Sequence, residues 1–205
     1  TKNWDDRSGK TDKDYGNRGE RYLAAVAYLD GPKSNPSAVM LRGYYTYSYV
    51  WAVDFDGKEL ATKWLHASDT KTTYTVTNGD GTSKTYTAPL PTGRTSGSRT
   101  AYGNGNHNLS VGDYDGDGCD EITLGASAIN NDGTLLYSTG FGHGDALHVG
   151  DIDPDRPGME VFTVHEESPY GWDLHDAATG EIICSAEGGK DNGRGIASDI
   201  IGANR

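Results

Sequence analysis

The stretch Leu109-Ser-Val-Gly-Asp113-Tyr-Asp115-Gly-Asp117-Gly-Cys119-Asp-Glu121-Ile-Thr-Leu124 decides the fold. A short apolar strand runs into an aspartate-rich loop, and a second apolar strand leaves it. The same order returns in Leu147-His-Val-Gly-Asp151-Ile-Asp153-Pro-Asp155, followed by Glu160-Val-Phe-Thr-Val164. Each copy continues outward into a third strand (Ala126 to Asn130, Gly171 to His175), a tip carrying glycine, and a fourth strand (Leu135 to Tyr137, Glu181 to Ser185). An earlier copy runs Val26 to Gly31, Ser37 to Arg42, Tyr49 to Val53 and Glu59 to Trp64, and a further one opens at Ile196-Ala-Ser-Asp199. Asp113, Asp151 and Asp199 stand 38 and 48 residues apart, the size of a four-stranded propeller blade of roughly 40 to 50 residues. Rings of blades close at about four to eight, because closure removes open edge strands. We therefore expect an all-β chain, a β-propeller segment of about three four-stranded blades.

The expected layout is a polar tail or crossing strand over 1–20, a first blade over 21–67 and an inserted excursion over 68–105 with a hairpin from Tyr74 to Tyr86. A second blade over 106–142, a third over 143–189 and the start of another over 190–205 follow. Composition agrees with short strands and many tight turns: 29 of 205 residues are glycine, twice the usual share of about 7%. With 30 acidic and 18 basic side chains the net charge is −12. That field repels a phosphate backbone, and no Lys/Arg cluster opposes it, so nucleic-acid binding is excluded as a function class. The longest apolar run, Leu23 to Leu29, is far too short to span a bilayer. Cys119 and Cys184 fit neither a zinc spacing nor a disulfide framework and read as free thiols.

Carboxylates of Asp113, Asp115, Asp117 and Glu121 occupy positions 1, 3, 5 and 9 of one loop, with the Cys119 carbonyl available at 7. Such alternation wraps oxygens around a hard divalent ion, and the ligand number favours calcium over magnesium. Asp151, Asp153 and Asp155 repeat the alternation, closed by Glu160, and read as a second loop of this kind. Asp54-Phe-Asp56-Gly57 lacks a closing acid and reads as a plain turn. Closed oxygen cages leave no position for substrate, so these loops are structural.

Just before each marker strand lies a Gly-rich segment: Gly103-Asn-Gly-Asn-His107-Asn108, Gly140-Phe-Gly-His143-Gly-Asp145, and Gly188-Gly-Lys190-Asp-Asn-Gly-Arg194. Repeat symmetry places their polar residues on one face, where pockets form. His107, His143, Asp145 and, after the next strand, Glu166 could hold a divalent ion with open positions, while Lys190 and Arg194 supply charge suited to a carboxylate. No nucleophile elbow, phosphate loop or dinucleotide fingerprint is present.

At these residues the sequence resembles the rhamnogalacturonan lyases of polysaccharide lyase family 11. The resemblance is carried by Asn106-His107-Asn108 through Gly118, Tyr137 through Gly158, Val164-His165-Glu166, Asp176 through Gly180, Gly193-Arg194-Gly, and upstream Arg42-Gly-Tyr-Tyr45-Thr46. It implies an eight-bladed, calcium-dependent propeller, secreted or envelope-associated in bacteria, that degrades the rhamnogalacturonan I backbone of pectin. By that resemblance His107, His143, Asp145 and Glu166 match an active-cleft calcium site. Asp113, Asp115, Asp117 and Glu121 match a structural one, and Arg194 a residue contacting the galacturonate carboxylate. Asn108 and Lys190 join Arg194 as substrate-binding candidates. The remaining blades, or a complementary chain, are the expected partners, with the acidic cell-wall polysaccharide as substrate. Two other readings compete. One is a non-catalytic calcium-binding carbohydrate or adhesion propeller. The other is a glycoside hydrolase using two of Asp145, Glu166, Glu167 and Asp191.

Overall fold

The computed structural model describes residues 21–45, 47–68, 73–77, 80–87 and 101–198. The expected tail over 1–20 and the marker Asp199 lie outside the described residues. Fourteen strands and no helix are found among the described residues, so none holds a helix long and apolar enough to cross a membrane.

Twelve strands form three antiparallel sheets of four, each ordered as in the chain. The first comprises β1 (Tyr22–Ala27), β2 (Ser37–Arg42), β3 (Tyr49–Phe55) and β4 (Leu60–Ala67). A separate hairpin follows, β5 (Thr73–Thr77) against β6 (Ser83–Thr87), inside the stretch read as an insertion. The second sheet holds β7 (Gly105–Gly112), β8 (Glu121–Gly125), β9 (Ser127–Ile129) and β10 (Leu135–Ser138). The third holds β11 (Leu147–Gly150), β12 (Glu160–Val164), β13 (Trp172–Asp176) and β14 (Ile182–Ala186). Strand β1 begins before the apolar stretch quoted from Val26, and Asp30-Gly31 fall in the turn after it.

Alternation decides how the sheets stack. In β2, Ser37, Val39 and Leu41 are buried while Ala38 and Met40 face outward. The buried face, with Val50, Ala52 and Trp64, packs against Ile122, Leu124 and Ile129 of the second sheet. Strands β8 and β12 are buried along their whole length, as expected for central strands covered on both faces.

One packing device recurs between neighbours. Trp64 of β4 lies on Gly133, the tip between β9 and β10, and its Nε1 donates to Asn131 O at 2.8 Å. Tyr137 of β10 lies on Gly180, the tip between β13 and β14. Both glycines have positive φ, 87° and 72°, and an added Cβ would sit 2.7 and 2.5 Å from the aromatic ring. Each tip needs glycine both for its turn and for the ring it receives. The first strands of successive sheets also adjoin, β1 beside β7 and β7 beside β11. The segments that lead into β7 and β11 are thereby brought together.

Candidate active site and metal centre

The site is assembled from three sheets. His107 sits near the start of β7, and Asn106 and Gly144 form a parallel bridge to the segment carrying His143 and Asp145. His107 N donates to Gly144 O at 3.2 Å, and Glu166 N, just beyond β12, donates to His143 O at 2.9 Å. From the first sheet, the β2–β3 loop brings Tyr44 and Tyr45. The Tyr44 ring stacks on His143 at 5.6 Å, and Tyr45 Oη lies 3.0 Å from His107 Nε2.

Within this frame His107, His143, Asp145 and Glu166 each offer a ligand atom, all within 4.8 Å of one another. His107 Nε2 is 3.0 Å from Asp145 Oδ1; His143 Nε2 is 3.8 Å from that oxygen and 3.3 Å from Glu166 Oε1. His143 is fully buried, and its Nδ1 lies 2.7 Å from Gly105 O. A carbonyl can only accept, so Nδ1 carries a proton, and in the neutral ring Nε2 presents a lone pair. His143 Nε2 and Asp145 Oδ1 are both buried without a hydrogen-bond partner among the described residues. A lone pair facing two carboxylates in a buried place is unfavourable unless something positive lies between them. The four residues therefore fit a divalent cation. Two imidazoles beside two carboxylates make a mixed donor set, since imidazole suits transition ions and carboxylate suits calcium.

The electrostatics follow the same geometry. Burial first, then the neighbouring His143, lowers the pKa of His107. Burial raises Asp145, whereas a hydrogen bond from His143, made when its Nε2 carries a proton in place of a cation, holds Glu166 down. Arg194 Nη1 donates to the backbone carbonyl of Asp145 at 2.6 Å, which sets an exposed guanidinium at the edge of the cluster. Asn108 and Lys190 are exposed and outside it. Asn108 does line a cavity of about 410 Å³ that opens beside His107 between β1, β7 and β11, with Leu23, Ser110 and His148 among its walls.

The aspartate loops differ from each other. Asp113, Asp115 and Glu121 come together as a second potential cation group. Glu121 is fully buried; Oε2 accepts from Tyr114 N at 2.8 Å and Oε1 has no partner among the described residues. Burial above all lifts its pKa to about 7. Asp117 is not in the group, and its Oδ1 accepts from Cys119 N at 2.7 Å. Around Asp151, Asp153, Asp155 and Glu160 no three ligand atoms gather among the described residues. Glu160 Oε2 instead accepts from Ile152 N and Asp153 N, both at 2.9 Å. Asp56 Oδ1 accepts from the backbone of Lys58 and Glu59, closing the plain turn. Both cysteines are free.

Sequence reasoning missed Tyr44, Tyr45 and the Gly105 carbonyl as parts of the site. No repeat signal marks them, because the β2–β3 loop has no counterpart at the same offset in the other copies. Asp173 and His175 were read only as strand residues, and His165 only as part of the family resemblance.

Comparison with known proteins gives the family. The family model described as rhamnogalacturonan lyase family 11, C-terminal domain, matches residues 2–92 and 83–205. The chain is 48% identical over 188 residues to the rhamnogalacturonan exolyase YesX of Bacillus subtilis and 46% to the rhamnogalacturonan endolyase YesW of that organism. Each alignment covers 91% of this chain and 26% of the relative. The solved structure of YesW superposes with a TM-score of 0.74 at 43% identity, over 96% of this chain and 29% of that one. The chain thus spans about a quarter of the length of the curated relatives it matches, and it belongs to rhamnogalacturonan lyase family 11.

Proposed function

We propose that this chain is the site-bearing part of a calcium-dependent lyase, an eight-bladed propeller in its complete form, that cleaves the rhamnogalacturonan I backbone by β-elimination. The observation that carries the reading is the convergence of His107, His143, Asp145 and Glu166 on one point with Arg194 at its edge. Its relatives named as rhamnogalacturonan lyases support it.

A galacturonate unit's C5 proton is barely acidic while the adjacent carboxylate is charged, because its removal builds a second negative charge beside the first. Calcium held by the four residues would neutralise that carboxylate. Arg194 reaches the same place and can bind the carboxylate through its planar fork. His143 cannot also act as the base, since its Nδ1 proton is committed to Gly105 O and its Nε2 faces the cluster. A base from another part of the protein takes the C5 proton. The released electron pair forms the C4–C5 double bond, and the rhamnosyl oxygen at C4 leaves and is protonated. The cavity beside His107 is of a size that holds a sugar unit, and Asn108 on its wall can hydrogen-bond it.

The three sheets then serve as consecutive blades. The exposed apolar face of the first, with Tyr22 and Val26 more than 60% exposed and Met40 beside them, supports seating against a further blade. A polymeric wall substrate places the complete enzyme outside the cell. The test is product analysis with the full-length enzyme on rhamnogalacturonan I. Ultraviolet absorbance from the conjugated unsaturated uronate is expected. Cleavage without it, with oxygen from water incorporated at the cut, would establish hydrolysis, and binding with no cleavage would establish the adhesion reading.

A further inference from the structure

A buried polar chain adjoins the cluster through His165, the residue before Glu166. His165 Nε2 is 2.5 Å from Asp173 Oδ1, His175 Nδ1 is 2.6 Å from Asp173 Oδ2, and His175 Nε2 is 3.1 Å from Tyr137 Oη. All four residues are buried, with the side chains of His165, Asp173 and His175 fully so. The chain crosses from β10 in the second sheet to β13 and the end of β12 in the third. With Asp173 ionised, each histidine donates to one of its oxygens, and His175 Nε2 accepts from the tyrosine hydroxyl. Burial alone would push Asp173 up, yet the two imidazole contacts hold it below the usual range. The carboxylate thus orients both rings at once.

His165 is the node. Its side chain goes to Asp173, while its N–H donates to Gly171 O at 2.8 Å. Its carbonyl accepts from Asn192 N at 3.3 Å, in the segment that carries Arg194. The next residue is Glu166, held on His143 O. One peptide joins the two residues, its N–H held on His143 O and its C=O accepting from Asn192 N, so anchoring the His165 side chain fixes the plane from which Glu166 reaches His143 Nε2. A single residue thereby ties the ligand acid and the arginine segment to one buried carboxylate. An apolar residue at 165 would fill space without fixing the ring or the peptide planes around it.

We infer that Asp173, through His165, is a positioning residue that sets the geometry of the Glu166–Arg194 side of the site without touching a ligand. This rests on the cation reading proposed above. Groups that orient ligands in this way typically change metal affinity 10- to 100-fold when removed.

The test uses the full-length enzyme with Asp173→Asn, His165→Ala, His165→Gln and Tyr137→Phe. Calcium affinity, kcat and KM are measured beside thermal stability. His165→Ala and Asp173→Asn should weaken calcium binding at the His143 cluster about tenfold or more and lower kcat more than they raise KM. They should leave the Asp113 loop's affinity unchanged. Glutamine places an amide N–H near the former Nε2, so His165→Gln should recover most of both losses. Tyr137→Phe, which trims only the far end, should lower stability with little effect on kcat. If the variants fold and lose stability but keep calcium affinity and kcat, the positioning role is overturned. If His165→Ala does not fold, Asp173→Asn and Tyr137→Phe decide: calcium affinity and kcat kept in Asp173→Asn, or lost equally in both, overturn it. No cation at the cluster in the unaltered enzyme would overturn the metal reading and this inference together. Binding there that is indifferent to the variants would overturn this inference alone.

Discussion

Replacing Gly144 by alanine should dismantle the site from its backbone. A Cβ there would lie 1.8 Å from Val164 O and 3.0 Å from Asn106 Nδ2. Neither the strand end nor the bridged segment can yield by a rotamer change, so one must move on the order of 1 Å in a close-packed interior. Three hydrogen bonds depend on that approach: Val164 N to Ala146 O and His107 N to Gly144 O, both 3.2 Å, and Glu166 N to His143 O, 2.9 Å. At about 1 kcal/mol net each, their loss amounts to about 3 kcal/mol. The same shift separates His143 and Asp145 from Glu166, and a misplacement of about 1 Å can cost on the order of 100-fold in turnover. Urea denaturation gives the first quantity, and initial rates on rhamnogalacturonan with a calcium titration give the second. Gly150→Ala is the control, because nothing lies within 4 Å of a Cβ built there. Gly144→Ala that matches Gly150→Ala in stability, calcium affinity and rate would refute the reasoning.

Three further outcomes follow from particular residues. Folding raises Glu121 from 4.5 to about 7, so metal-free protein keeps that stability at low pH and loses it as pH rises through 7. Glu121→Gln should therefore raise stability in chelator at pH 8 yet abolish stabilisation by calcium, and an unchanged calcium response in thermal melts would contradict the loop's role. His66, buried against Gly133 O at 2.9 Å, is held down by burial from 6.5 to about 4. Its contribution is present above pH 6.5 and lost as pH falls toward 4, about 3 kcal/mol. His66→Asn should flatten that acid limb in denaturant midpoints, and an identical limb in both proteins would sink the assignment. Arg194→Ala should lower turnover about 100-fold with little change in calcium affinity, whereas parallel loss of both would make the arginine structural.

The three four-stranded sheets were legible because alternation and glycine tips recur beside the aspartate markers. Strand starts were not, since Tyr22 to Ala25 precede any marker and β7 begins at Gly105 inside a Gly-rich segment read as a loop. His107, His143 and Asp145 stand at offsets from Asp113 and Asp151 that the repeat makes similar, whereas Glu166 was reached only as a residue following the strand that Glu160 begins. Asp151, Asp153 and Asp155 share the spacing of the Asp113 loop but not its gathering, because Pro154 and the later Glu160 change the path. Glu160 there serves backbone N–H groups. The Asp173 network left no periodic trace, since its members alternate with apolar residues as any strand does.

The most direct measurement of the central claim is anomalous X-ray scattering from crystals of the full-length enzyme grown in calcium, paired with metal analysis of the dissolved protein. A calcium ion bonded to His107, His143, Asp145 and Glu166, and lost in His143→Ala, is the predicted result. A cluster without an ion in those crystals, or one holding a transition metal identified at its absorption edge, would contradict it.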